Sequence, residues 1–197
     1  MKARLIILAI FAIAIGFYPL IYIFLDANFG LLSTKSEELL RSNLWNTFFY
    51  LHISFGGLAL LIGWSQFIPK WRTKYIQAHR RIGFIYFISV LISGLSSLYI
   101  AYYATGGLIA KIGFALLGII WLCTTAKAFA DIKNRNIISH QKFMIYSYAS
   151  ATGAITLRIW LPLLTAVSGS FFIAYPIVAW LSWVPNLIFA HYLVKKL

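Results

Sequence analysis

Long uninterrupted runs of apolar residues constrain this chain more than any other feature of its sequence. Six runs can be read, at about 4–25, 45–69, 82–103, 108–130, 141–166 and 171–193. Each has roughly 18 residues or more, the length that an α-helix needs to cross the ~30 Å hydrocarbon layer of a bilayer. Strands of a membrane barrel would alternate apolar and polar residues over ~10-residue segments, and these runs do not alternate. The sequence therefore predicts an all-α integral membrane protein with six transmembrane helices.

Composition and organisation agree with that prediction. The chain is 61% hydrophobic and only 11% charged, whereas about a quarter of the residues of a soluble domain are charged. No linker or low-complexity tract divides the chain, so we predict a single membrane domain over residues 1–197. The first run follows a basic leader but is longer than the ~7–15 apolar residues of a secretory signal, which favours an uncleaved helix.

The formal net charge of +13 is distributed by side of the membrane. Basic residues lie at the N terminus, in 70–81, in 127–142 and at the C terminus, which all fall on one side if six helices alternate. The loops of the other side hold two basic residues and three acids: Lys35, Arg41, Asp26, Glu37 and Glu38. Positive loops stay cytoplasmic, so both termini are predicted to be cytoplasmic. This pattern indicates contact with anionic lipid headgroups and no nucleic-acid partner.

Small and polar residues at helical spacing indicate which faces of the runs point inward, because helix seams in membranes favour such residues. Four runs carry one stripe of this kind, and three of the stripes include a histidine. The stripes are His52, Gly56, Ala59, Gly63 and Gln66 in the second run; His79, Gly83, Tyr86, Val90, Ser93 and Ser97 in the third; Lys111, Ala115, Gly118 and Thr125 in the fourth; and His140, Met144, Ser147, Ala151, Ala154 and Arg158 in the fifth. We therefore predict a four-helix core of the second to fifth helices, flanked by the first and sixth.

His79 and His140 open the third and fifth helices at the cytoplasmic boundary. Two neutral imidazoles facing each other across a bundle are the usual ligands of a b-type haem. The positive end of the helix dipole at a helix start disfavours the imidazolium and preserves the lone pair. Small residues on the same stripes would leave room for a planar cofactor, with Tyr86 and Tyr146 hydrogen-bonded at its edge. The pattern indicates haem b as a candidate cofactor, with His79 and His140 as iron ligands.

Arg158 heads a second candidate site on the outer side, with His52 and Lys111. At 1.5 Å per residue it lies about 27 Å along the fifth helix from His140. A cation inside a membrane needs a partner. That partner is either Asp26 or a group that the chain does not encode, such as a haem propionate, a lipid phosphate, a small organic anion or a quinone-like molecule.

Two functions of other classes stay open beside electron transfer by a haem. The polar stripes also suit a cofactor-free accessory or assembly protein, in which His79 and His140 are ordinary interfacial histidines. Arg158 and Lys111 together suit a carrier of a small organic anion, although both also suit cations that snorkel to the interface. No zinc, nucleotide-binding or nucleophile motif appears, so the sequence assigns no catalytic residue.

Several segments together resemble a family of bacterial membrane proteins known as domain of unknown function 2306. They are His52, FGGLALLIGWSQF (55–67), AHRRIGFIY (78–86) and WLCTTAKAFADIKNRNIISHQKFMIYSYASATGAITLR (121–158), and the resemblance covers about 48 to 165. It implies a multi-pass protein of the bacterial inner membrane and, since the family name states no function, no activity. The helix count and histidine placement also resemble transmembrane cytochromes b, which reduce or oxidise ascorbate-like donors and carry four histidines in two pairs across a four-helix core. Here the fourth run has no histidine to partner His52, so at most one ordinary pair is available.

Overall fold

The chain is described by a computed structural model for residues 2–24 and 30–197. All regular structure in these residues is helical. The α-helices are α1 (Lys2–Gly16), α2 (Ile21–Phe24), α3 (Glu37–Leu40), α4 (Asn43–Gly63), α5 (Pro69–Thr73), α6 (Ile76–Tyr102), α7 (Gly107–Lys133), α8 (Ile137–Ala151), α9 (Gly153–Ser168), α10 (Phe171–Leu181) and α11 (Val184–Val194). Short 3₁₀ turns cover Tyr18–Leu20, Leu32–Thr34 and Trp64–Phe67.

Five helical segments are long and apolar enough to cross a membrane, judged by length and composition. They are Asn43–Phe67, Ile76–Tyr102, Gly107–Lys133, Ile137–Ser168 and Phe171–Val194, which correspond to the second to sixth runs. The first run gives a shorter apolar helix, Leu5–Leu20. α1 ends at Gly16, and Pro19, which has no backbone N–H to continue the helical ladder, lies in the 3₁₀ turn that follows. The helical class is therefore confirmed, together with five of the six predicted span-length helices.

α4, α6, α7 and α8 form a four-helix bundle in which each helix packs against the next and α8 closes the ring on α4. α6 and α8 consequently stand diagonally opposite each other. α1 packs on α4, α10 packs on α7 and α9, and α11 packs on α8. These contacts match the core of four helices and the flanking helices predicted from the polar stripes.

Close packing in the bundle depends on small residues of α4. A Cβ atom at Gly63 would lie 2.4 Å from the ring of Tyr148 and 2.9 Å from the ring of Tyr86, and one at Gly56 would lie 2.9 Å from Ser93 Oγ. Side chains of α6 and α8 thus already occupy the space beside these glycines. Gly56 and Gly63 thus serve helix packing, because in a close-packed seam the space of a missing side chain is filled by a neighbour.

The fifth and sixth spans are each interrupted, at Thr152 between α8 and α9 and around Ser182 between α10 and α11. One amide joins the two interruptions: Asn186 Nδ2 donates to Thr152 Oγ1 at 3.2 Å, to Thr156 Oγ1 at 3.1 Å and to the Ser182 carbonyl at 3.0 Å. Backbone groups freed inside a membrane need such partners. This contact ties α11 to the break between α8, which carries His140, and α9, which carries Arg158.

Candidate functional site

The rings of His79 and His140 lie within electrostatic range of each other, and each belongs to the first turns of its helix, α6 and α8. His140 Nδ1 lies 2.9 Å from the Ala128 carbonyl of α7, so a neutral ring donates from Nδ1 and keeps its lone pair on Nε2. His79 Nδ1 is buried and has no hydrogen-bond partner among the described residues. The His79 ring lies within range of the charges of His140, Arg72 and Arg80. One ring is thus fixed in orientation, and the other holds a nitrogen that is not satisfied.

The described residues contain no group of three or more His, Cys, Asp or Glu side chains that could hold a metal ion. That result disfavours a site built from several protein ligands, such as a zinc site, which takes three or four. A haem takes only two axial protein ligands, because the porphyrin supplies the others. The histidine pair must therefore be judged by its own geometry.

Asp131 anchors the turn that leads into α8, and sequence reasoning did not single it out. Its side chain is 6% exposed. One carboxylate oxygen pairs with Lys127, and the other accepts a hydrogen bond from Ser139 Oγ at 2.5 Å. Ser139 precedes His140, so this carboxylate fixes the first turn of α8. The signal that was available is the four-residue spacing of Lys127 and Asp131, which places them on one helix face.

The two tyrosines predicted at the edge of a cofactor have protein partners instead. The Tyr86 hydroxyl lies 2.8 Å from Ser147 Oγ, which lies 2.6 Å from Thr125 Oγ1, and all three side chains are buried. The Tyr146 hydroxyl lies 3.0 Å from His191 Nδ1 on α11, outside the four-helix bundle. Tyr86 therefore belongs to the packing of the bundle, and Tyr146 to the contact between α8 and α11.

The second candidate site, named the outer layer after its predicted side, brings Arg158 and His52 within interaction range. Arg158 Nη1 donates to the Ala154 carbonyl at 2.9 Å, and the guanidinium carbon lies 4.1 Å from the centre of the Tyr18 ring. Arg158 Nε is buried without a hydrogen-bond partner among the described residues. His52 lies within range of the Arg158 charge.

His52 is held by a single residue of α6. Its Nδ1 lies 3.1 Å from the Ser93 carbonyl and 3.0 Å from Ser93 Oγ, which itself donates to the His52 carbonyl at 2.9 Å. These contacts fix the ring and leave Nε2 as the nitrogen available to another group. Asp26, the possible counter-ion of Arg158, lies outside the described residues.

Lys111 lies in a different group from Arg158. Its Nζ lies 4.7 Å from the centre of the Tyr102 ring. Nearby, Lys35 Nζ donates to the Tyr103 carbonyl at 2.6 Å and to Thr105 Oγ1 at 3.0 Å, which ties the segment before α3 to the α6–α7 turn. No contact among the described residues joins Lys111 to Arg158. The single anion site predicted from both cations is therefore divided between two groups of contacts.

Lys35 gives a prediction for the pH dependence of stability. Burial, and to a lesser extent the charge of Lys111, lowers the pKa of Lys35 from 10.5 to about 8. Between these values the unfolded chain binds more protons than the folded chain, so folding stability should rise as pH rises from about 8 to 10.5. We expect Lys35→Met to remove this part of the rise in a series of thermal unfolding curves. Lys74→Met, at an exposed lysine, is the control, and parallel profiles for Lys35→Met and the unsubstituted protein would contradict the assignment.

Two surface grooves lie apart from the His79–His140 pair and from the Arg158–His52 pair. One, of about 320 Å³, is lined by Trp183, Leu187, His191 and Lys195 among others, and the second, of about 390 Å³, is lined by Glu37, Glu38, Arg41 and Ser42. Neither is lined by His79, His140 or Arg158. The candidate residues are thus found in the helix seams rather than in these grooves.

Comparison with known proteins gives one match. A family model described as predicted membrane protein, domain of unknown function 2306 (DUF2306), matches residues 49–194. The matched range includes His52, His79, His140 and Arg158, and it extends past residue 165, where the predicted resemblance stops, into α11. No curated protein and no solved structure matches the chain.

Proposed function

The chain belongs to the DUF2306 family of predicted membrane proteins, whose description states no activity, and we propose from its own residues that it binds a b-type haem and transfers electrons at the membrane. The iron ligands in this proposal are His79 and His140. A bound haem would supply a one-electron carrier that cycles between ferric and ferrous iron. The four-helix core also supports the proposal, since haem sites in helix bundles are commonly built from histidines on facing helices.

The observation that carries the proposal is the state of the two rings. A ligating histidine usually donates its other ring N–H to a carbonyl or carboxylate, which fixes the tautomer. His140 makes that contact with the Ala128 carbonyl. His79 lacks that contact: its buried Nδ1 has no partner among the described residues, and an unsatisfied polar atom of this kind is costly unless a group outside the chain completes it.

The charges around His79 also suit a haem. Arg72 and Arg80 act on the His79 ring, and their guanidinium groups would pair with the carboxylates of the propionate side chains. Arg158 is too far along the fifth span to reach the same propionates, because the separation of about 27 Å from His140 exceeds the width of a haem.

The basic segments at the termini and in 70–81 and 127–142 support a cytoplasmic location for the proposed haem site. If positive loops stay on the inner side, then the end of the bundle with His79 and His140 faces the cytoplasm, and the termini lie on that side of a bacterial inner membrane. The redox partner would be a membrane molecule such as a quinone or another membrane protein. In this arrangement Asp131 positions His140, through Ser139, without touching the cofactor.

An absorption spectrum tests the proposal. We expect the protein, purified in detergent after expression with added haem precursor, to show a Soret band and to develop reduced-state bands with dithionite. His79→Ala and His140→Ala should each lose most of the Soret absorbance per protein. His191→Ala is the matched control, since this histidine is exposed and its ring bonds Tyr146 on the outside of the four-helix bundle.

Thermal unfolding of the same variants separates ligation from folding. A folded unsubstituted protein without a Soret band would overturn the proposal, and so would equal absorbance in all three variants. If alanine at His79 and at His140 left both stability and spectrum unchanged, the cofactor-free accessory protein would be the better description.

A further inference from the structure

The outer layer holds a cation that the proposed haem does not explain. Arg158 lies within the membrane-spanning segment Ile137–Ser168, and no carboxylate of the described residues pairs with it: the two ion pairs found there are Arg41–Glu37 and Lys127–Asp131. A charged group in that environment is costly and marks a functional site more often than a structural one. The contacts of Arg158 therefore require an account of their own.

The protein satisfies only part of the guanidinium. Nη1 donates to a carbonyl of the same helix, and one face of the group lies on the Tyr18 ring. The edge that contains Nε is directed to no acceptor among the described residues. Stacking on an aromatic ring compensates part of the charge, but it leaves the Nε–H donor without an acceptor among the described residues. Such donors match the two oxygens of a carboxylate or phosphate.

Other polar groups converge on the same place. The side chains of Tyr18 and Tyr22 lie within interaction range of the guanidinium, and their hydroxyls approach the open side of Gly30, at 4.0 Å and 3.5 Å from where its Cβ would lie. His52 adds a ring whose Nδ1 is held by Ser93 and whose Nε2 is available. The guanidinium and the two hydroxyls are hydrogen-bond donors, and the imidazole Nε2 is an acceptor. This set of four side chains contains no carboxylate.

We infer that Arg158, Tyr18, Tyr22 and His52 form a binding site for the oxyanion group, a carboxylate or a phosphate, of a small molecule that enters from the outer side of the membrane. The guanidinium binds the anion through its Nε edge, the hydroxyls donate to the same oxygens, and His52 accepts a hydrogen bond from a neighbouring hydroxyl of the ligand. The inference does not depend on a haem, because none of these residues is a proposed ligand of the iron.

Anion-dependent thermal unfolding tests the site. The protein in a neutral detergent is heated with sodium phosphate, acetate or benzoate, each titrated against sodium chloride at constant ionic strength. We expect the melting temperature to rise to a plateau with at least one of the three anions, as mass action requires for a ligand that binds only the folded state. Arg158→Gln should abolish the rise, and Arg158→Lys should retain a smaller one because it keeps the charge without the planar fork.

Two controls keep the result specific. Lys133→Gln removes a cation that lies 5.0 Å from the centre of the Phe129 ring, a comparable cation–aromatic contact away from Arg158, and it should retain the full rise. Tyr18→Phe removes only a hydroxyl, so it should shift the midpoint of the titration to higher anion concentration even if Arg158→Gln does not fold. No rise with any of the anions, or an equal rise in Arg158→Gln, would overturn the inference.

A second arm separates an external anion from Asp26. If Asp26 were the counter-ion, Asp26→Asn and Arg158→Gln would destabilise the protein equally, and the double variant would be no less stable than either single variant. That result would overturn the inference. If the two effects add, the partner of Arg158 comes from outside the chain. Comparison of nanodiscs of phosphatidylcholine alone with nanodiscs that contain phosphatidylglycerol then identifies the source. If phosphatidylglycerol raises the melting temperature and soluble phosphate then has no further effect, the oxyanion belongs to a lipid headgroup. If soluble phosphate raises the melting temperature equally in both kinds of nanodisc, the oxyanion belongs to a soluble molecule.

Discussion

Gly63→Ala should destabilise the bundle by about 1–3 kcal/mol or prevent folding, the range for extra atoms forced into a well-packed core. The added Cβ would lie 2.4 Å from one ring carbon of Tyr148 and 2.9 Å from one of Tyr86. Both rings are buried and belong to different helices, so neither can move away without disturbing α6 or α8. Alanine is favoured over glycine in a helix by about 1 kcal/mol, and the clash must exceed that gain. Thermal unfolding in detergent measures the net effect.

Gly83→Ala provides the matched control for this prediction. It lies in α6, and the nearest atom to its added Cβ is Gln66 Oε1 at 3.6 Å, an ordinary contact. We expect a neutral or slightly stabilising effect of up to about 1 kcal/mol from helix propensity alone. If Gly63→Ala were as stable as Gly83→Ala, then α4 would not approach α6 and α8 as closely as described.

Ser147→Ala should cost about 1–3 kcal/mol, since it removes one hydroxyl that serves two buried partners. Ser147 is 0% exposed, and its Oγ lies 2.8 Å from the Tyr86 hydroxyl and 2.6 Å from Thr125 Oγ1. Thr125 keeps a bond to the Trp121 carbonyl at 2.7 Å, so the loss falls mainly on Tyr86. Hydrogen bonds between membrane helices average only about 0.6 kcal/mol, which places the expected value in the lower half of this range. The measurement is again the unfolding curve.

Ser150→Ala separates the shared hydroxyl from the effect of removing any buried serine. Ser150 lies on the same helix and is 3% exposed, but its hydroxyl bonds only the Tyr146 carbonyl one turn earlier. A hydroxyl of this kind satisfies no other helix, so its removal should leave stability nearly unchanged. Equal losses in the two variants would mean that the bonds between helices contribute nothing measurable.

Both predictions concern positions that the sequence had already placed on inward faces. Gly63, Tyr86, Thr125 and Ser147 all belong to the small or polar stripes, and the structure buries each of them. Helical periodicity is sufficient for this, because in a membrane the lipid-facing surface is apolar and any stripe of small or polar residues must face protein. The same reasoning located His79 and His140 at one end of the bundle and Arg158 near His52.

The stripes did not reveal which residues meet. Tyr146 was expected at a cofactor and instead bonds His191, because its position on α8 faces α11. Lys111 was expected beside Arg158 and instead lies near Lys35, a loop residue whose position no periodicity describes. Tyr18, which stacks on Arg158, is separated from it by most of the chain. Contacts of this kind depend on how each helix is rotated and where each turn ends.

The sequence alone determined that the chain is a helical membrane protein and which face of each core helix points inward, since hydrophobic length and the placement of polar residues follow directly from the cost of exposing charge and backbone to lipid. Only the tertiary structure decided that α6 and α8 are diagonal partners, that Tyr148, Tyr86 and Ser93 fill the space beside Gly63 and Gly56, and that Arg158 stacks on Tyr18. The physical reason is that burial depends on each residue's own helix, whereas packing and pairing depend on the joint geometry of several helices.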